Sequence, residues 1–220
     1  MSTIAMELDR PHPVDVRLQP ALENRDRMTT AFRLLLAIPH LILVGAPAAV
    51  FLSWTWGSGD SGSQWSSTGL LGAIAGFCAM IAWFSILFTG RYPEGLRSLV
   101  EGYLRWRVRA VAYTALLRDE YPPFGDAPYP AELVLDVHDQ PRDRVSVAFR
   151  LILAIPHIFA VWLLGMAWCL ATIVAWVLIL MTGSYPEELY RFGVGVLRWN
   201  IRVEAYLLLL HDEYPPFTLG

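Results

Sequence analysis

Two Pro-His pairs are the residues best placed to do chemistry in this chain. His40 closes the stretch FRLLLAIPH, Phe32 to His40, and His157 closes FRLILAIPH, Phe149 to His157. Each imidazole sits about 11 residues into an apolar run that starts near Thr29 or Ser146, ~16 Å deep if the run is a helix rising 1.5 Å per residue. An ionisable side chain at that depth in a membrane helix is a functional candidate by default. Two imidazoles in duplicated settings have the chemistry to bind a haem or metal between the copies, or to relay protons. The structural alternative is that Pro39 and Pro156 each free a carbonyl one turn back, and a neutral imidazole satisfies it or faces a neighbouring helix. No carboxylate, cysteine or second histidine lies near enough in the sequence to complete a metal set, so no metal is assigned.

Arg33 and Arg150 lie seven residues before those histidines, two turns down the same helix face. They can pair with Glu94, Glu187, Asp119 or Asp212, or hold a lipid phosphate. Arg105, Trp106 and Arg109 form one Arg-Trp-Xaa-Xaa-Arg motif, and Arg198, Trp199 and Arg202 repeat it. Arginine at the phosphate level with tryptophan at the carbonyl level suits anionic lipid, and ordinary anchoring of an interfacial helix uses the same residue types. The sequence offers no nucleophile–base pair, phosphate-binding glycine loop or metal-spaced cluster, so an enzyme is not expected. A net charge of −3 gives no nucleic-acid footprint. Cys78 and Cys169 lie in apolar runs at unmatched positions and read as small buried hydrophobes.

The elements that must position these residues are membrane-like. The composition is 55% hydrophobic with 17% charged residues and a mean hydropathy of +0.41, too apolar for an ordinary soluble domain. A polar arm, Met1 to Met28, holds a possible short strand at Pro13 to Leu18 and shows no cleavable leader. A first span is expected from Thr30 to Trp54, an uncharged Gly/Ser/Trp loop from Thr55 to Gly69, and a second span from Leu70 to Thr89. Leu96 to Leu117 then reads as an amphipathic helix in the interface, because a third span would take Arg105, Arg107 and Arg109 into the bilayer. A proline-rich linker, Asp119 to Pro130, leads to a second candidate strand at Ala131 to Asp139. The apolar run Val145 to Thr182 is too long for one bilayer crossing, so two short spans turning near Gly165 are expected. A second interfacial helix covers Glu187 to Leu210.

The chain is a duplication. Without a gap, Ala82–Phe124 and Ala175–Phe217 agree at 25 of 43 positions. The upstream blocks match at an offset of 117 and the downstream blocks at 93, so the first copy carries 24 extra residues. Residues 1–124 form repeat one and 125–220 repeat two. With two spans per copy the repeats enter from one side, parallel about an axis along the membrane normal, with every arginine on one face. The positive-inside rule makes that face, and both termini, cytoplasmic in an inner membrane.

The order RDRMTTAFRLLLAIPH, apolar hairpin, TGRYPEGL, LRWRVRAVAY, DEYPPF resembles the bacterial membrane family known as domain of unknown function 4389. The motifs stand at Arg25–His40, Thr89–Leu96, Leu104–Tyr113 and Asp119–Phe124, and recur as RDRVSVAFRLILAIPH, TGSYPEEL, LRWNIRVEAY and DEYPPF. The second copy departs at Ser184 and Asn200, which replace Arg91 and Arg107. The resemblance implies a membrane protein and supplies no activity or catalytic residues. The expectation is therefore an all-α integral membrane protein of two parallel copies, serving as a scaffold or accessory subunit. It would bind lipid and a partner protein, or a second copy of itself, at its cytoplasmic face. The rival is a haem-, metal- or proton-handling protein built on His40 and His157.

Overall fold

A computed structural model describes residues 12–45, 64–125, 127–136 and 142–220. The described elements in chain order are β1 (Val14–Leu18), α1 (Arg27–Ala31), α2 (Arg33–Val44), α3 (Gln64–Thr89), α4 (Glu94–Thr114), β2 (Ala131–Leu135), α5 (Arg144–Thr182) and α6 (Glu187–Leu207). The protein is mostly helical, and two of its helical stretches, Gly69–Thr89 and Arg144–Thr182, are long and apolar enough to cross a membrane.

Helix α5 starts at Asp143, whose carboxylate accepts from the Val145 amide, and runs 39 residues to a left-handed Gly183. The turn expected near Gly165 is absent. Gly165 is helical, and a Cβ there would meet nothing within 4 Å. Pro156 sits inside the helix without ending it. A turn would strand several peptide groups in the middle of an apolar run, whereas a continuous helix pairs nearly all of them.

In the first copy the same rod is interrupted. Helix α2 ends at Gly45 (φ 74°), and α3 breaks at Gly69 (φ 70°). Both glycines align with Trp162 of the second copy, one at each offset. They also meet in space: a Cβ on Gly69 would lie 2.4 Å from the Gly45 nitrogen and 2.6 Å from the Leu43 carbonyl oxygen. Only glycine tolerates both that backbone angle and that approach. The insertion therefore leaves and returns at one point of the rod. The expected first span beyond residue 45, and the loop as far as residue 63, lie outside the described residues.

The two copies clasp each other reciprocally. Trp83 Nε1 donates to the Val147 carbonyl at 3.0 Å, and its counterpart Trp176 donates to Thr30 at 3.0 Å. The Arg25 amide donates to Gly183 at 2.9 Å, and the Arg142 amide to Gly90 at 3.1 Å. Val147 and Trp176 stand about 43 Å apart along α5 at 1.5 Å per residue. The start of each long rod thus lies against the end of the other, so α2–α3 and α5 are antiparallel about a pseudo-two-fold axis. The side-by-side parallel hairpins expected above required the turn that α5 lacks.

The same axis passes through the sheet. Strands β1 and β2 pair antiparallel with Val16 opposite Leu133, which are matched positions. Residues 137–139 of the expected second strand lie outside the described residues. The sheet packs on α4 and α6, and these pack on the long rods, giving three layers. Helix α6 buries every residue from Gly195 to Tyr206 except Arg198, which makes it a middle-layer helix rather than one lying at an interface. Each rod buries one stripe, in α5 Val147, Arg150, Ala154, His157, Val161, Trp168, Ala175 and Ile179. Outside it Phe149, Ile152, Phe159, Leu170, Ile173 and Met181 are each more than half exposed.

Candidate functional site

The buried stripe delivers Arg33 and Arg150 to the far ends of α4 and α6. Those helices close on Leu116 (φ 63°) and Leu209 (φ 64°), matched positions in a left-handed conformation that glycine usually occupies. For leucine that conformation costs about 1–2 kcal/mol. Arginine holds it. Arg33 Nη1 donates to the Tyr113 carbonyl at 3.1 Å and to the Arg118 carbonyl, and Nη2 binds Asp119. Arg150 Nη1 donates to Tyr206 at 3.1 Å and His211 at 2.9 Å, with Asp212 2.6 Å from Nη2. The guanidinium of Arg33 lies 4.5 Å over the Tyr113 ring, and that of Arg150 lies 4.4 Å over Tyr206. Arg25 and Arg142 add donors to the Leu116 and Leu210 carbonyls. Each of Arg33 and Arg150 is 1% exposed. Of the partners expected for these two, Asp119 and Asp212 are the ones found, and at this depth the guanidiniums are internal clamps on helix ends rather than headgroup ligands.

His40 and His157 occupy separate aromatic boxes. Trp106 Nε1 donates to His40 Nδ1 at 3.1 Å, and Trp199 Nε1 to His157 Nδ1 at 3.3 Å. Phe124 and Phe217 stack on the two rings with centroids at 4.9 and 4.0 Å, and Tyr121 and Tyr214 close the sides. The DEYPPF segments are thus the lids of the boxes. Indole is a donor only, so each Nδ1 is a lone-pair acceptor and a neutral ring carries its proton on Nε2. Both Nε2 atoms are buried without a partner, so the carbonyl freed by each proline is not what the ring binds. Each box is built within its own copy, and a haem or metal held between the two imidazoles does not fit this arrangement.

The remaining lipid candidates divide. Arg105 is exposed, with Glu101 at 3.8 Å. Arg109 donates to the Gly125 carbonyl at 2.6 Å. Arg198 reaches the Val16 carbonyl at 3.1 Å, and Arg202 reaches Val14 at 3.3 Å and Gly220 at 2.7 Å. Asp15 lies within 3.5 Å of Arg198 and 3.4 Å of Arg202. These two staple β1 to α6. Trp106 and Trp199 serve the histidines.

A family model described as Domain of unknown function (DUF4389) matches residues 64–125 and again residues 144–218. The chain belongs to this family. Its two matched segments are consistent with tandem copies. No curated protein and no solved structure matches the chain.

The two DUF4389 copies differ where they cross. Tyr103 donates to Glu204 Oε1 at 2.7 Å, Arg107 Nε to Oε2 at 2.6 Å, and Arg107 Nη1 to the Val44 carbonyl at 2.6 Å. The matched residues are Val196, Asn200 and Val111, so this buried triad exists once. Burial pushes the Tyr103 phenol well above its ordinary value, keeping it a donor. Sequence reasoning missed the triad, whose signal was three departures between the copies, Tyr103/Val196, Arg107/Asn200 and Val111/Glu204. A second unmatched feature is the pair His12 and His211, with ring centroids 5.0 Å apart and edge to face. Their counterparts are Tyr129 and Arg118. Burial, with His12 and Arg150 beside it, pushes His211 down to about 3.

Proposed function

We propose that this chain is a non-enzymatic membrane scaffold or accessory subunit, seated by its layer of long rods with the pseudo-two-fold axis along the bilayer normal. One observation carries the reading. Apolar side chains are exposed along α5 from Val145 to Met181, about 54 Å at 1.5 Å per residue, with a matching surface on α2 and α3. Hydrocarbon is only ~30 Å thick, so a rod crossing it upright would leave some 24 Å of this surface in water. Rods lying along one leaflet bury all of it. That placement also keeps the sheet, α4 and the arginine-bearing helix ends on one aqueous side, which the positive-inside rule makes cytoplasmic. In-plane seating therefore replaces the multi-pass crossing expected above. The polar layer, with exposed Arg105, is the face offered to lipid headgroups and to a partner protein or a second copy.

The test is two-sided labelling. In a Cys78→Ala, Cys169→Ala background, single cysteines at Arg144 and Ser184 mark the two ends of α5. An impermeant maleimide should reach both from the cytoplasmic side of sealed vesicles. Labelling from opposite sides would replace the in-plane seat with a crossing, and a chain that stays soluble without detergent would end the membrane reading altogether.

A further inference from the structure

Between α3, the first half of α5 and the end of α6 lies a cavity of about 630 Å³. Gly72, Gly76, Ala79, Leu151, Ile158 and Leu208 are among its walls, which are almost wholly apolar. Its rim includes Met80, Phe84 and Leu151, each just over half exposed, so the cavity opens sideways onto the apolar surface of the rods. Tyr103, Glu204 and Arg150 stand at its inner wall, where the carboxylate is already bound by Tyr103 and Arg107 and the guanidinium by Asp212 and the Tyr206 and His211 carbonyls. Both charges there are already paired, so neither is offered to a polar ligand.

We propose that this cavity binds one hydrocarbon chain of a membrane lipid. The inference rests on the membrane placement above. A volume of this order suits a single small apolar ligand rather than a two-chain lipid. The mouth is continuous with a surface that hydrocarbon would cover, so a chain enters sideways without crossing a polar rim. Once inside, it supplies the dispersion contacts that walls held apart cannot make with one another. Gly76 makes the room: it is helical, and a Cβ there would meet nothing within 4 Å. The matched position in the other copy is Cys169, and the triad at the inner wall is likewise unmatched. The site is thus a feature of one side of the pseudo-dimer.

Leu208 and Leu209 are 9% and 3% exposed and line the cavity, so a probe on a lipid chain reaches them through its mouth. The full chain is placed in phosphatidylcholine vesicles containing a trace of phosphatidylcholine with a diazirine on one acyl chain, then irradiated and mapped by mass spectrometry. Adducts are expected at Leu208 or Leu209 as well as on the outer residues Phe159 and Leu170. Gly76→Leu should cut the cavity adducts severalfold and leave the outer ones unchanged. Gly165→Leu, equally unhindered in α5, should change neither. Outer adducts with none in the cavity, or cavity adducts indifferent to Gly76→Leu, overturn the inference and leave the membrane placement standing. Absence of outer adducts overturns both.

Discussion

Replacing Arg33 by methionine keeps most of the buried stem and removes the guanidinium, so it isolates the clamp on the end of α4. The change deletes donors to the Tyr113 and Arg118 carbonyls and the ion pair with Asp119. Charged hydrogen bonds are worth about 1.5–3 kcal/mol each. Their plain sum overshoots, because the variant also escapes the cost of burying the cation, and Arg25 still holds Asp119 at 2.8 Å. A net loss of about 3–5 kcal/mol follows, the usual result of breaking a buried pair from one side. For a chain of this size that lowers the melting temperature by roughly 6–20 °C. Arg33→Lys should lose most of the same amount, since an ammonium cannot span two carbonyls and a carboxylate at once. Thermal unfolding followed by circular dichroism in one detergent measures both, and Arg150→Met repeats the test in the second copy. If Arg33→Met melts within a degree or two of the parent, the guanidinium is a surface group and the clamp is wrong.

Three further outcomes follow from the same geometry. His211 is held neutral in the fold, with its pKa pushed down to about 3, while an unfolded histidine titrates near 6.5. Below pH ~6.5 the unfolded chain therefore takes up a proton that the folded one refuses, and stability falls by about 1.4 kcal/mol per pH unit toward pH 3, with no such slope above 6.5. His211→Phe should remove that share of the acid-side slope in denaturation curves. Gly69→Ala should destabilise by more than ~1 kcal/mol through its backbone angle and the Gly45 contact, whereas Gly165→Ala should be neutral or stabilising by up to ~1 kcal/mol. A melt in which Gly165→Ala is the damaging change would restore the turn that α5 lacks. His157→Phe strands the buried Trp199 indole and should cost about 1–3 kcal/mol, part of which Trp199→Phe recovers in the double variant.

Much of this was legible in the residues, and the gaps have physical causes. The apolar runs, the duplication and both short strands could be read directly, because hydropathy and repeated motifs are local. The path of α5 could not. Gly165 and Pro156 look like breaks in a sequence, yet an apolar surrounding penalises an unpaired peptide group more than it penalises either residue in a helix. The seven-residue spacing from Arg33 to His40 put both on one face. It could not name the neighbours, since the carbonyls that Arg33 binds lie 80 and 85 residues away. The first DEYPPF segment reads as the start of a proline-rich linker, and the aromatic rings of both copies gave no sign of which ring they would cover. The Gly45/Gly69 junction was present in the alignment itself, where two glycines fall opposite one tryptophan.

Two copies of one sequence unit need not be two folding units, and here the contacts argue against it. The boundary near residue 124 separates the repeats, but among the described residues β1 pairs with β2 alone, so cutting there strips each strand of that ladder. The start of α1 is tied to Gly183 and the start of α5 to Gly90, each across the boundary. The decisive contact is Glu204, 5% exposed, whose partners Tyr103 and Arg107 both belong to the other copy. A separated second copy would keep that carboxylate in an apolar wall with no cation beside it, and a separated first copy would do the same to Arg107. Either half must then rearrange to hydrate a charge, at several kcal/mol from a margin of stability that is itself only about 5–15 kcal/mol. The asymmetric triad thus locks a duplicated sequence into one cooperative body, and the cavity it borders exists only when both copies are present.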